Sequence, residues 1–107
     1  MRDFKESDWK IFRALHEVAL DRFCQRVLAT SSEIISDAEL GNHERYLKLY
    51  KLVRERDKEL AHMFDRVSRS AALEQLTLLR RENLVTDDEF ARFSSETRDA
   101  INSWLSH

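Results

Sequence analysis

Glu59 and His62 stand three residues apart in a stretch that reads as helix, so both side chains fall on one helical face. Di-metal helical bundles use this Glu-x-x-His step, completed by carboxylates from facing helices. His16, with Glu17 beside it, sits on another apolar-periodic stretch that could face the first. Imidazole and carboxylate together could hold Zn, Fe or Mn. A di-iron layer needs two such steps and two further glutamates, and one chain supplies one step; a homodimer would supply two. Charged helices generate the step by chance, so no metal and no cofactor are expected. His16, Glu59 and His62 are the candidate ligands if a metal binds.

Nucleophilic catalysis needs Ser or Cys beside a base and an orienting acid. Cys24 and His16 lie about two turns apart on one helix, too far for a hydrogen bond. Cys24 belongs to an apolar stripe, where a thiol is buried and inert. The serines cluster where helix caps are expected. No catalytic residue is assigned, and a non-enzymatic chain is expected. The single glycine, Gly41, and the lack of proline argue against a Gly-rich phosphate loop and against tight hairpins.

Arg80-Arg81 and the set Arg45, Lys48, Lys51 and Arg54 form local basic stripes. Glu44, Glu55 and Glu82 interleave them, as on a solvated helical face. Two short C-terminal helices have the size of a helix-turn-helix. Their polar residues Asp87, Asp88, Glu89, Glu96 and Asp99 repel phosphate. With a net charge of −2, nucleic-acid association is a lesser alternative.

These groups must be placed by helices. The hydrophobic fraction, 42%, is too high for disorder, and the charged fraction, 36%, suits helices with solvated faces. The 107 residues match one domain. Phe12, Leu15, Val18, Ala19, Phe23, Val27 and Leu28 recur at steps of three and four and predict a helix over 8–33, with Ser7 as its cap. The stretch 36–42 holds the only glycine and is the natural turn. Tyr46, Leu49, Tyr50, Val53, Leu60, Met63, Phe64, Val67 and Ala71 predict a second helix over 43–82. It is expected to be continuous, roughly 60 Å long, with the serines at 68–70 as its weakest point. Asn83 suits a left-handed C′ position. Thr86 and Glu89 form a capping box for a short helix over 87–93, and a last helix covers 96–105.

The expected fold is therefore all-α. It is a long antiparallel helical hairpin with two short C-terminal helices, open to forming a four-helix bundle as a dimer. With the turn centred at 37–41, facing positions have numbers that sum to about 78. Asp21 and Arg22 would then face Arg56 and Asp57 as a polar seam that fixes register. The second helix would outrun the first, leaving Leu73, Leu76, Leu78 and Leu79 to be covered by the C-terminal helices, Phe4 and Trp9, or by a second copy. Tyr46, Tyr50, Phe64, Leu73, Leu76, Leu79 and Trp104 are the candidate contacts. The expected role is a protein–protein interaction or adaptor module, self-associating or bound to another helical protein, with no small-molecule substrate identified. A metal-binding bundle or a nucleic-acid-associated regulator is the alternative. The charged stretch 1–10 has no signal-peptide h-region and no apolar run could span a membrane, so a cytoplasmic chain is expected.

Overall fold

A computed structural model describes residues 4–106; residues 1–3 of the charged leading stretch lie outside the described residues. The described chain is all-helical: α1 (Glu6–Ile35), α2 (Asn42–Phe64), α3 (Arg69–Arg81), α4 (Asp87–Phe90) and α5 (Ser95–Leu105). Among the described residues no helix is long and apolar enough to cross a membrane.

Two apolar stripes run along α1. Phe12, Leu15, Ala19 and Phe23 are buried against the later helices, while Leu20 and Val27 are half-buried on the side that meets α2. α2 returns antiparallel. The Arg45 guanidinium donates to the Ile35 carbonyl at 3.3 Å, and the His16 and Phe64 rings meet at 5.2 Å. Each of these pairs sums to 80, so the register lies two residues from the expected one. α1 begins at Glu6 with Lys5 in the cap position, not at Ser7. Glu44 caps the start of α2 by accepting from the Gly41 N–H at 3.2 Å.

The expected continuous helix over 43–82 is not formed. It breaks at 65–68, where Arg66 takes a left-handed conformation with φ 65°. Ser68 then caps α3 by accepting from the Ala71 N–H. The Gln75 amide donates to the Asp65 and Arg66 carbonyls, both at 3.2 Å, so the break leaves these acceptors satisfied. The chain then reverses. Arg69 at the start of α3 pairs with Glu6 at the start of α1, and Arg26 reaches the Glu82 and Asn83 carbonyls at the far end, both at 2.6 Å. α3 therefore runs alongside α1 in the same direction and antiparallel to α2. Nothing overhangs: Leu76 and Leu79 are fully buried inside the chain, and Leu73 packs at the edge of the same core.

α3 closes with a Schellman motif. Asn83 has φ 58°, its N–H donates to the Arg80 carbonyl at 3.0 Å, and the Leu84 N–H donates to the Leu79 carbonyl at 2.9 Å. The Thr86–Glu89 capping box forms as expected, but α4 lasts one turn and ends at Phe90. Ser94 caps α5. Phe4 closes the end of the core, edge-on to Phe12 at 5.7 Å, and Trp9 stacks on Phe12 at 5.9 Å.

The result is a head and an arm. The head holds the buried core, built from the first two-thirds of α1, the end of α2, and α3–α5. α3 stops at the level of Arg26. Beyond it the hairpin continues as two helices alone, through the tip at 36–41.

Candidate functional site

Three sets of charged groups in the head act as clamps between its helices. Asp8, 1% exposed, accepts from the Ser94 N–H (2.9 Å), the Ser94 hydroxyl (2.6 Å) and the Thr97 hydroxyl (2.8 Å). Burial would raise its carboxyl, but these donors, with Lys5 nearby, outweigh burial and hold it below the usual carboxylate range. Arg22 makes a two-pronged pair with Glu89 at 2.6 and 2.8 Å and also donates to the Leu84 carbonyl. That pair, against the cost of burial and with help from Thr86, brings Glu89 down to about 2. Arg80 donates to the Val85 carbonyl, pairs with Asp87 and lies 4.4 Å over the Phe90 ring. These contacts hold α1, α3, α4 and α5 together.

The expected polar seam is therefore dissolved. Arg22 points into the head, not towards Asp57. Arg56 pairs along its own helix with Glu59. Asp21 and Asp57 are exposed and, among the described residues, join no ion pair. The physical reason is that α4 supplies a better-buried carboxylate to Arg22 than α2 does.

The candidate metal ligands are also separated. His16 lies between the Phe12 and Phe64 rings, with its Nε2 buried and without a hydrogen-bond partner. Burial pushes its imidazole below the ordinary value, against smaller upward pulls from the Phe64 backbone and Glu17. Glu59 and His62 instead line a shallow groove against Leu78 and Glu82 of the α3 side. Among the described residues no three His, Cys, Asp or Glu side chains converge as a metal site. The basic stripes are partly consumed in the same way: Arg45 is tied to Ile35 and Asn42, and Arg80 to the α3–α4 loop.

Of the candidate contact residues, Phe64, Leu76 and Leu79 are core and Leu73 borders it. Tyr46, Tyr50 and Trp104 are exposed. The two tyrosines belong to a larger feature on the arm. Tyr46, Tyr50, Val53, Asp57 and Leu60 follow at steps of four, three, four and three along one stripe of α2. Glu17, Asp21, Cys24 and Leu28 do the same on α1, and Ile35 continues the stripe seven residues on. The two stripes flank one groove of about 380 Å³, lined by Cys24, Leu28, Val53 and Leu60. Leu28 is 69%, Tyr46 65%, Ile35 57%, Tyr50 57% and Val53 48% exposed. The opposite side of the hairpin is richer in polar groups, with Arg26, Thr30, Arg56, Glu59 and Glu82 around a groove floored by Phe23, Val27 and Leu52. α3–α5 pack on that side, so the apolar face is the one the chain leaves open. Leu28 and Val53 belong to the apolar periodicity that predicts the two helices. They are open because two helices meeting along one seam cannot cover their own flanks.

Comparison with protein-family models, with curated proteins and with solved structures finds no match for this chain.

Proposed function

We propose that the chain is a non-enzymatic, helical protein–protein interaction module whose docking surface is the apolar face of the arm. The observation that carries this reading is the run of Leu28, Ile35, Tyr46, Tyr50 and Val53, five large side chains each about half or more exposed on one side of a two-helix arm. Single exposed apolar residues are ordinary, but a contiguous stripe is the usual mark of an interaction site. Tyrosine suits such a surface, since it brings large area at little entropic cost and keeps a hydroxyl for orientation. The Asp8 clamp and the Arg22–Glu89 pair are spent inside the head, which favours this face as the place where specificity resides.

A photo-crosslinking side chain placed at Leu28 in the native cell tests the reading. The same probe at Lys51, exposed on the back of α2, is the control. Position-dependent protein adducts at Leu28 and none at Lys51 are expected. Equal yields at both positions, or none at Leu28, would overturn it.

A further inference from the structure

We infer that the open face of the arm is covered by a second copy of this chain, laid antiparallel across it about a two-fold axis near Leu28 and Val53. This rests on the reading of that face as a docking surface and adds the identity and direction of its occupant.

The area available is of the right size. The chain exposes 7331 Å². A compact monomer of this mass exposes about 6,200 Å², so the excess is roughly 1,100 Å². A standard stable interface buries about 800 Å² per partner, and obligate homodimers more. The elongation tells the same story: the radius of gyration is 16.8 Å, against about 13 Å for a compact domain of this length. Two such hairpins stacked face to face make a four-helix bundle, the arrangement that gives a thin two-helix arm a core.

The direction follows from how polarity is distributed along the face. Its head end carries the carboxylates Glu17, Asp21 and Asp57. Its tip end carries donors: the phenols of Tyr46 and Tyr50, with His43 one turn before Tyr46. The apolar residues Cys24, Leu28 and Val53 lie between. A parallel dimer would set Asp21 and Asp57 of one copy against the same residues of the other, which costs like-charge repulsion. An antiparallel two-fold lays α1 on α1 and α2 on α2, so Asp57 of each copy falls level with the Tyr46–Tyr50 stretch of the other, Asp21 comes level with Ile35 and not with a like charge, and apolar meets apolar in the middle. Facing pairs sum to 80, so Leu28 and Leu52 share a level near the centre of the stripe, and Val53 lies one residue from it. The two-fold then closes the assembly and leaves no open apolar face to propagate.

The test combines mass with geometry on the purified full chain. Sedimentation equilibrium from micromolar to near-millimolar concentration is expected to show a monomer–dimer equilibrium. Leu28→Glu and Tyr50→Glu should each weaken it about tenfold or more. Lys51→Glu should leave it unchanged. Circular dichroism should show all three variants folded, because none of these side chains is buried in the monomer. In a Cys24→Ser background, Leu28→Cys should cross-link between copies through a short bismaleimide, whereas Tyr46→Cys should not, since its two copies would lie about 18 Å apart along the axis. Cross-linking at both positions would mean a parallel pair and overturn the direction. A strict monomer throughout, or a dimer indifferent to Leu28→Glu, would overturn the second copy. If that monomer still gives Leu28-specific adducts to another protein in the cell, the docking face stands and only its proposed occupant falls.

Discussion

Asp8 is the residue on which the joint between the two ends of the chain turns. It lies 86 residues from Ser94 and holds the N-cap of α5 against the first turn of α1. Asp8→Ala leaves the Ser94 N–H and two hydroxyls without their acceptor in a closed site. The expected loss is about 2–4 kcal/mol by urea denaturation at neutral pH, since unmet buried donors cost their desolvation and a charged acceptor is involved. Asp8→Asn should cost less. The Arg22–Glu89 pair acts with it in acid. Both carboxyls titrate below their ordinary values in the fold, Glu89 at about 2 against 4.5. A depressed folded value means the unfolded chain takes up the proton first. The stabilisation is therefore complete above pH 4.5 and fades as pH falls towards 2. For Glu89 the drop corresponds to roughly 3 kcal/mol. Glu89→Gln should flatten the fall in melting temperature across that window. His16 adds a second, milder slope. Its folded value is also lowered, so protons bind the unfolded chain below about pH 6.5, and stability declines on acidification from there. His16→Leu should remove this slope and, by deleting the unpartnered Nε2, should not destabilise at neutral pH.

At the scale of the element, the break at 65–68 decides the architecture. A continuous helix would have carried Leu76 and Leu79 past the end of α1; the reversal puts them in the core. Its components are a left-handed Arg66, the Ser68 cap and the Gln75 amide. Glycine adopts the Arg66 conformation without the Cβ clash, so Arg66→Gly is expected to stabilise by about 0.5–1 kcal/mol. Gln75→Leu strips two carbonyls of their donor and should destabilise by about 1–2 kcal/mol. Thermal melts of the two variants should move in opposite directions; both falling would mean that Arg66 is not the strained point. This break also marks what the sequence could show. α1, the turn around Gly41, the Asn83 C-cap and the Thr86–Glu89 box were legible, because each depends on residues within a turn of one another. Of the break, only the weak point at the serines of 68–70 was legible: without glycine or proline, its left-handed residue is an arginine and its stabilising donor lies nine and ten residues downstream. Arg22 was misassigned for a related reason. Helical spacing gives the direction of a side chain, but its true partner, Glu89, is 67 residues away on an element the two-helix picture did not place. Of the candidate face, Tyr46 and Tyr50 were already singled out in the sequence, and the structure leaves both exposed. Leu28 and Val53 were not, because their periodicity looks the same whether a helix flank is covered or open.

At the scale of the whole molecule, the head and the arm are separable in stability. The chain measures 52 × 27 × 24 Å, and its long dimension comes from the arm. Among the described residues, the fifteen buried apolar ones are all in the head. None lies between 24 and 62, so the arm's own cohesion comes from the half-buried seam of Val27, Ile34, Leu49 and Leu52. Local opening free energies should follow this division, lowest at the tip and rising to the global value in α3 and around Phe12. A matched deletion makes the division testable. Removing 28–34 from α1 and 46–52 from α2 takes out segments that face each other, since 28 pairs with 52 and 34 with 46 in the observed register. Each removes two turns to within about 20° of rotation, so the remaining helices stay in phase. The head keeps every buried apolar side chain, the Asp8 clamp and the Arg22–Glu89 pair. The shortened chain is therefore expected to remain helical and to melt within a few degrees of the parent when both are monomeric. It should also lose self-association, because Leu28, Tyr46 and Tyr50 are gone. Loss of the cooperative melt would show instead that the arm is part of the folding unit of the head, and that the seam of Val27 and Leu49 contributes to global stability.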